Sequence, residues 1–178
     1  MNNMPSLCRA AALAAWAFAA LAGCSPASAA APSKASWSGV VTYVGDGDTL
    51  RVRPPGGSKP VIIRIEGIDA PEICQAGGAA SRDALMRRVL GKRVVVQGSR
   101  HDDYGRLLAR IVLNGQDQGK WMVARGQAWS YRYRHNPGPY VIQQRRAKAA
   151  GLGIFSRAQT APPVYPGVFR KQHGSCHV

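Results

Sequence analysis

From Trp37 onward the chain alternates apolar and polar positions in short blocks, separated by glycine, proline and aspartate. Val40-Val41-Thr42-Tyr43-Val44 reads as a strand and Gly45-Asp46-Gly47 as the turn that ends it. Thr49–Arg53 sets Leu50 and Val52 between Thr49, Arg51 and Arg53, the period-two signature of a half-buried strand. Pro54-Pro55-Gly56-Gly57 turns the chain, and Val61–Ile65 is a third strand. Over Gly77–Leu90 the period changes: Leu85, Met86, Val89 and Leu90 make an apolar face at helical spacing, and Gly91 closes it. Val94–Val96 is a fourth strand, Asp102–Gly105 a turn and Leu107–Leu113 a fifth strand. Gln118–Arg125 and Tyr140–Ala150 read as two more helices, and a Pro-rich tail covers 158–178. Five short strands with a helix between the third and fourth match the order of an OB-fold, a five-stranded Greek-key barrel, mainly β (α+β) with about three helices. A parallel doubly wound sheet would need a crossover helix after nearly every strand, and these strands lack them.

The length of 178 residues allows one domain with a real core plus tails, and leaves no room for a large two-domain enzyme. With 46% hydrophobic residues the chain is not a disordered one, and four cysteines, two of them in a leader, are too few for a disulfide scaffold. Lys and Arg total 24 against 9 Asp and Glu, a net charge of +15, which calls for a polyanionic partner: nucleic acid, an anionic membrane surface, or both.

Residues 1–23 stand apart from the fold. Arg9 precedes the Ala-rich run Ala10–Ala22, too short to span a bilayer and typical of a secretory h-region. The run ends in Leu21-Ala22-Gly23-Cys24, which resembles a bacterial lipobox with Cys24 as the lipidated new N-terminus; the competing reading cleaves near Ala27-Ser28-Ala29 and discards Cys24. Residues 24–36 are small and polar and read as a flexible tether for a domain over 37–157. The expected location is therefore the cell envelope, as a periplasm-facing lipoprotein, or the medium. In such an oxidising compartment Cys74 and Cys176 either form a disulfide that pins the tail or remain two thiols.

The carboxylates are not scattered. Asp46, Asp48, Glu66, Asp69 and Glu72 fall within a 27-residue stretch, and nothing acidic follows Asp117. If the second and third strands pair about the turn near Gly57, Asp48 lies roughly opposite Glu66, and Asp48, Asp69 and Glu72 converge at one sheet end with Arg64 a step inside. Carboxylates held that close repel one another unless a proton or a hard cation such as Ca²⁺ intervenes, and the lack of His or Cys ligands argues against zinc. Each segment also has an ordinary reading: an Asx turn at Asp46–Asp48, a turn or helix start at Asp69–Glu72, a surface ion pair for Arg64.

Three segments, Asp46-Gly47-Asp48-Thr49, Ile63–Glu72 and Asp103-Tyr104-Gly105-Arg106, in this order and spacing, resemble the staphylococcal nuclease (thermonuclease) family. The resemblance covers about 37–157 and implies an OB-fold endonuclease that uses one Ca²⁺ to hydrolyse DNA and RNA, preferably single-stranded, to 3′-phosphorylated products. It further implies that Asp48, Asp69 and the Ala70 carbonyl hold the metal, with Asp46 behind them. Glu72 would be the general base, Arg64 and Arg106 would grip the phosphate, and Tyr104 and Tyr131 would line the nucleotide site. Two departures stand out: the stretch after Glu72 is short where the type member has a longer mobile loop, and Asp103 stands where that enzyme has Lys. The basic last third, interleaved with Trp121, Trp129, Tyr131, Tyr133 and Tyr140, suits a groove that tracks a nucleic-acid backbone. Rival readings are a non-catalytic OB module that binds single-stranded nucleic acid, and an envelope protein whose basic face meets lipids or a protein partner. The leading reading predicts no protein partner.

Overall fold

The computed structural model describes residues 35–57, 59–158 and 161–176. The leader 1–23, Cys24 and most of the expected tether lie outside the described residues. The strands are β1 (Ser36–Val44), β2 (Thr49–Arg53), β3 (Val61–Ile65), β4 (Ile68–Asp69), β5 (Arg93–His101), β6 (Leu107–Leu113), β7 (Gln116–Asp117) and β8 (Trp129–Ser130). The helices are α1 (Gly78–Val89), α2 (Gln118–Ala124), α3 (Val141–Ala149) and α4 (Pro166–His173).

Strands run in the order β3-β2-β1-β5-β6, and a parallel pairing of β3 with β6 closes them into a five-stranded, mixed, OB-fold-like barrel. Register shifts in β1 between Val41 and Tyr43 and in β5 between Gln97 and Arg100 supply the local bends that closure needs. Leu50 faces Ile63 across the β2–β3 hairpin, and Thr49 faces Arg64. This register differs by one residue from the expected Asp48–Glu66 alignment: the Ile65 N–H donates to the Asp48 carbonyl at 2.7 Å. Apolar matching decides it, because the expected register would set Leu50 across from Arg64 and turn one of the two strands inside out. With the register observed, Leu50, Val52, Ile63 and Ile65 all face the core, and Arg64 is left on the other side of β3. Leu85 and Val89 of α1 and Met122 and Val123 of α2 complete the same buried cluster.

Two small features outside the barrel hold its flanking segments in place. The short β4 pairs antiparallel with β8, Ile68 with Ser130 and Asp69 with Trp129. Asp117 caps α2 by accepting the Lys120 N–H at 3.1 Å, and its other oxygen takes the Tyr140 hydroxyl at 2.7 Å and Arg110 Nε at 3.2 Å, tying β6, α2 and the start of α3 together.

The segment read as a Pro-rich tail carries α4, a helix in addition to the three expected. Pro166 occupies the first helical turn, where its missing N–H costs nothing and its fixed φ favours helix, so a proline of that tail starts the helix. The segment docks through several contacts. The Tyr165 ring meets Trp129 edge-on at 6.0 Å, Gln75 Nε2 donates to the Val164 carbonyl at 2.6 Å, and a disulfide joins Cys74 to Cys176 with 5.9 Å between Cα atoms. Among the described residues no helix is long and apolar enough to cross a membrane.

Asp117→Ala removes a helix cap and the acceptor of a part-buried phenol at once. It is expected to lower stability by about 1–2 kcal/mol, read as a lower urea midpoint at unchanged slope.

Candidate active site

The turn between β1 and β2 places the first two acids. The Asp48 N–H donates to Asp46 Oδ1 at 2.9 Å, an Asx turn that leaves the Asp48 side chain pointing across to the chain after β4. There Asp48 Oδ2 accepts the Ala70 N–H at 2.7 Å, while Oδ1 accepts the Thr49 hydroxyl at 3.1 Å. The ordinary reading of Asp46–Asp48 as a turn and its reading as a functional site are thus one geometry. Gly47 is required by it, because a Cβ there would overlap the Ser81 hydroxyl and the Ala70 methyl. Through that contact α1 buttresses the turn.

Asp69 is fixed by the β4–β8 pairing and is fully buried. Three residues on, Glu72 is also buried. Its N–H donates to Gln75 Oε1 at 3.2 Å, its carbonyl accepts the Gln75 N–H at 2.9 Å, and a Cβ at Gly78 would collide with that carbonyl. The short stretch after Glu72 is therefore a tight turn locked against the start of α1. Arg64 lies between the acids: Nη1 pairs with Asp48 Oδ2 at 2.5 Å and donates to the Ile68 carbonyl at 3.1 Å, and Nη2 pairs with Asp69 Oδ1 at 2.9 Å. Burial pushes the Asp48 carboxyl well up; Arg64 pulls it back, and Asp46 and Asp69 add to the rise. For Arg64 burial works toward losing the proton, but Asp48 and Asp69 more than offset it and hold the guanidinium charged.

Arg106 lines the same cleft from the loop before β6, the strand that pairs with β3. The expected turn Asp102–Gly105 is present, and Asp102 organises it: Oδ1 accepts the N–H groups of Tyr104 at 3.1 Å and Arg106 at 2.9 Å, and Oδ2 accepts Arg106 Nε at 2.8 Å. Among the described residues the two Nη groups of Arg106 make no hydrogen bond. Its guanidinium lies 5.3 Å from the Tyr104 ring, and Tyr104 is 85% exposed. Tyr131, exposed, lines the same cleft, whose volume is about 1330 Å³. Trp129 and Tyr140 do not serve as stacking platforms, because both are buried; Tyr133 remains exposed, and Trp121 packs against the core.

Sequence reasoning passed over two residues here. Asp102 carried a signal, a turn aspartate four residues before an arginine, and its role comes from the Asx turn it makes. Arg170 carried none, since nothing local sets it apart from the other basic residues of the last third. It comes in on α4, where Nη1 donates to Glu72 Oε1 at 2.8 Å and to Asp69 Oδ1 at 3.2 Å, and Nη2 to Asp69 Oδ2 at 3.2 Å. Burial works against its charge, and the hydrogen bonds to Asp69 and Glu72 outweigh burial, so its affinity for the proton is raised.

The donor chemistry fits a hard divalent cation: Asp46, Asp48, Asp69 and Glu72 are buried acids at one barrel end, with the Ala70 backbone beside them and no imidazole or thiol. As they stand, the gaps between the acids are taken by the guanidinium groups of Arg64 and Arg170. Accordingly, among the described residues no three His, Cys, Asp or Glu side chains form a group ready to hold an ion.

The Asp102 loop has a defined pH response. Partial burial would raise its carboxyl, but the backbone N–H and guanidinium of Arg106 and the Tyr104 N–H hold it below the usual carboxylate range. A depressed folded value means that the loop's stabilisation is present above the unfolded value of about 4 and fades as pH falls through the folded one. The amide resonances of Tyr104 and Arg106 should hold constant above about pH 4 and move together below it; a transition centred higher contradicts this.

Comparison with known proteins matches residues 62–157 to the family model described as staphylococcal nuclease homologue. A protein of Haemophilus influenzae described as an uncharacterized endonuclease is 35% identical over 133 residues, covering 74% of this chain and 72% of the relative. An uncharacterized endonuclease of Escherichia coli O157:H7 is 37% identical over 127 residues, covering 70% and 81%. A micrococcal nuclease of Shigella flexneri is 31% identical over 143 residues, covering 74% and 81%. These likenesses support action on nucleic acid and a nuclease-type hydrolase activity in general terms. The matched span holds the β3 arginine, the β4 acid and the Asp102 loop, and on this agreement of sequence, barrel and cleft the chain belongs to the staphylococcal nuclease homologue family.

Proposed function

We propose that this protein is a Ca²⁺-dependent endonuclease that hydrolyses phosphodiester bonds of DNA and RNA, preferably single-stranded, to 3′-phosphorylated products. The observation that carries the reading is the gathering of Asp48, Glu72, Arg64 and Arg106 around one cleft of a nuclease-family barrel, with the buried Asp69 behind them paired to Arg64. Asp48, Asp69 and the Ala70 carbonyl would hold Ca²⁺, with Asp46 fixing the Asp48 backbone behind them. The bound ion would supply Lewis-acid stabilisation of the charge that builds on the phosphoryl oxygens.

The chain's own residues do the rest. Glu72 keeps one oxygen outside the Arg170 hydrogen bond, and that oxygen can accept a proton from the attacking water. Water oxygen bonds to phosphorus as the bond to the 5′ oxygen breaks; the leaving oxygen takes a proton from solvent. Arg106 offers two Nη groups already aimed by the Asp102–Nε bond, a fork suited to two phosphoryl oxygens. Arg64 must share or exchange its carboxylate partners to join it. Tyr104 and Tyr131 present faces on which bases can stack. The +15 charge suits polyanion capture. Export rests on the leader, and a lipid anchor on Cys24.

With purified protein and denatured DNA or RNA, cleavage is expected in Ca²⁺ and none after chelation; binding without cleavage would favour the non-catalytic module. Glu72→Gln should lower turnover by roughly 10²–10⁴-fold, and a wild-type rate would remove Glu72 as base. If Cys24 is the anchor, Cys24→Ser should move the protein from the membrane fraction to the soluble one, and unchanged partitioning rejects the anchor.

A further inference from the structure

Arg170 has no part in the proposed chemistry, yet it covers the centre of it. Both oxygens of Asp69 are engaged in a two-pronged pairing with its Nη1 and Nη2, each at 3.2 Å, and the same Nη1 reaches Glu72 Oε1 at 2.8 Å. Asp69 Oδ1 also takes Arg64 Nη2. A divalent ion seeking the Asp69 oxygens therefore meets a positive charge already lodged on them. The two cannot share that carboxylate freely, because fixed like charges a few ångströms apart in a buried setting repel strongly.

The occupant is tethered. Cys74 lies two residues beyond Glu72, and Cys176 six beyond Arg170, so the disulfide staples the Glu72 turn to the segment that brings the guanidinium in. Gln75 on the Val164 carbonyl, the Trp129–Tyr165 ring contact and Arg132 stacked 4.9 Å from the Tyr165 ring anchor the same segment from its other end. A group held this way competes at a high effective concentration without any free ligand.

Resting on the reading of these acids as a Ca²⁺ site, the geometry points to the disulfide-anchored helix α4 as a built-in competitor for the cation. Arg170 occupies the carboxylates until the ion displaces it, and opening Cys74–Cys176 weakens its hold. The apparent Ca²⁺ affinity is then the intrinsic affinity scaled by the fraction of molecules in which Arg170 has left Asp69. The threshold calcium concentration of the protein is set by α4 as well as by the ligands, and it falls when the disulfide is reduced.

The test is Ca²⁺ titration calorimetry on the exported chain, stripped of metal and kept oxidised. Arg170→Met keeps the apolar stem and deletes the charge, and should bind Ca²⁺ at least ~10-fold tighter, within the usual 5–150-fold range of such couplings. Arg170→Lys, a point charge without the fork, should fall between it and wild type. Cys176→Ser should also tighten binding, and the double variant should be no tighter than Arg170→Met alone, since both act through one contact. Unchanged or weaker binding in a folded Arg170→Met protein overturns the inference while leaving the nuclease reading intact. If folded wild type and Arg170→Met both fail to bind Ca²⁺, the calcium reading falls, and this inference falls with it.

Discussion

Burying four carboxylates at one end of a small barrel is an electrostatic problem, and its solution organises the molecule. Asp46, Asp48, Asp69 and Glu72 are all buried there, and burying charge is costly unless it is paired and hydrogen-bonded. Arg64 bridges Asp48 to Asp69, Arg170 bridges Asp69 to Glu72, and backbone N–H groups of Asp48 and Ala70 fill further acceptor positions. Among the described residues no buried side-chain nitrogen or oxygen lacks a partner. Removing one member of such a buried pair typically costs about 3–5 kcal/mol, because the survivor is left charged and unaccompanied.

The scaffold supplies each member from a separate element, which is why barrel closure matters to the chemistry. The β2–β3 register sends Arg64 to the cleft side while Leu50 and Ile63 stay in the core. The parallel β3–β6 pairing brings the Asp102 loop, which comes after β5 and before β6, alongside β3. β8 holds β4 and so holds Asp69. Helix α1 presses Ser81 against Gly47 and Gly78 against the Glu72 carbonyl, setting the distance between the two acidic turns.

The sequence made visible what rests on local periodicity and turn chemistry. β2, β3 and β6 fall at Thr49–Arg53, Val61–Ile65 and Leu107–Leu113, because each alternates buried and open positions cleanly. β5 extends past its apolar core to His101 because Gln97–His101 is polar and is held in the strand by pairing with β6, a partner its own composition does not reveal. The two-residue strands β4 and β8 are too short to carry a period at all. The β2–β3 register came out one residue away from expectation, since turn length by itself does not count the residues a 3₁₀ turn at Pro55–Gly57 consumes. Asp46, Asp48, Arg64, Asp69, Glu72 and Arg106 were legible because they sit in compact motifs. Arg170 was not, because its place depends on α4 folding back across the site, a long-range event that no nearby residue announces.

The cross-link between Cys74 and Cys176 also changes what cutting the backbone would mean. A protease that severed the chain anywhere between Phe155 and Pro166 would leave two polypeptides still covalently joined beside Glu72, with the smaller piece retained on the larger. Such a nicked molecule would keep its mass until a reductant arrived, and only then would the carboxylates lose their companion helix.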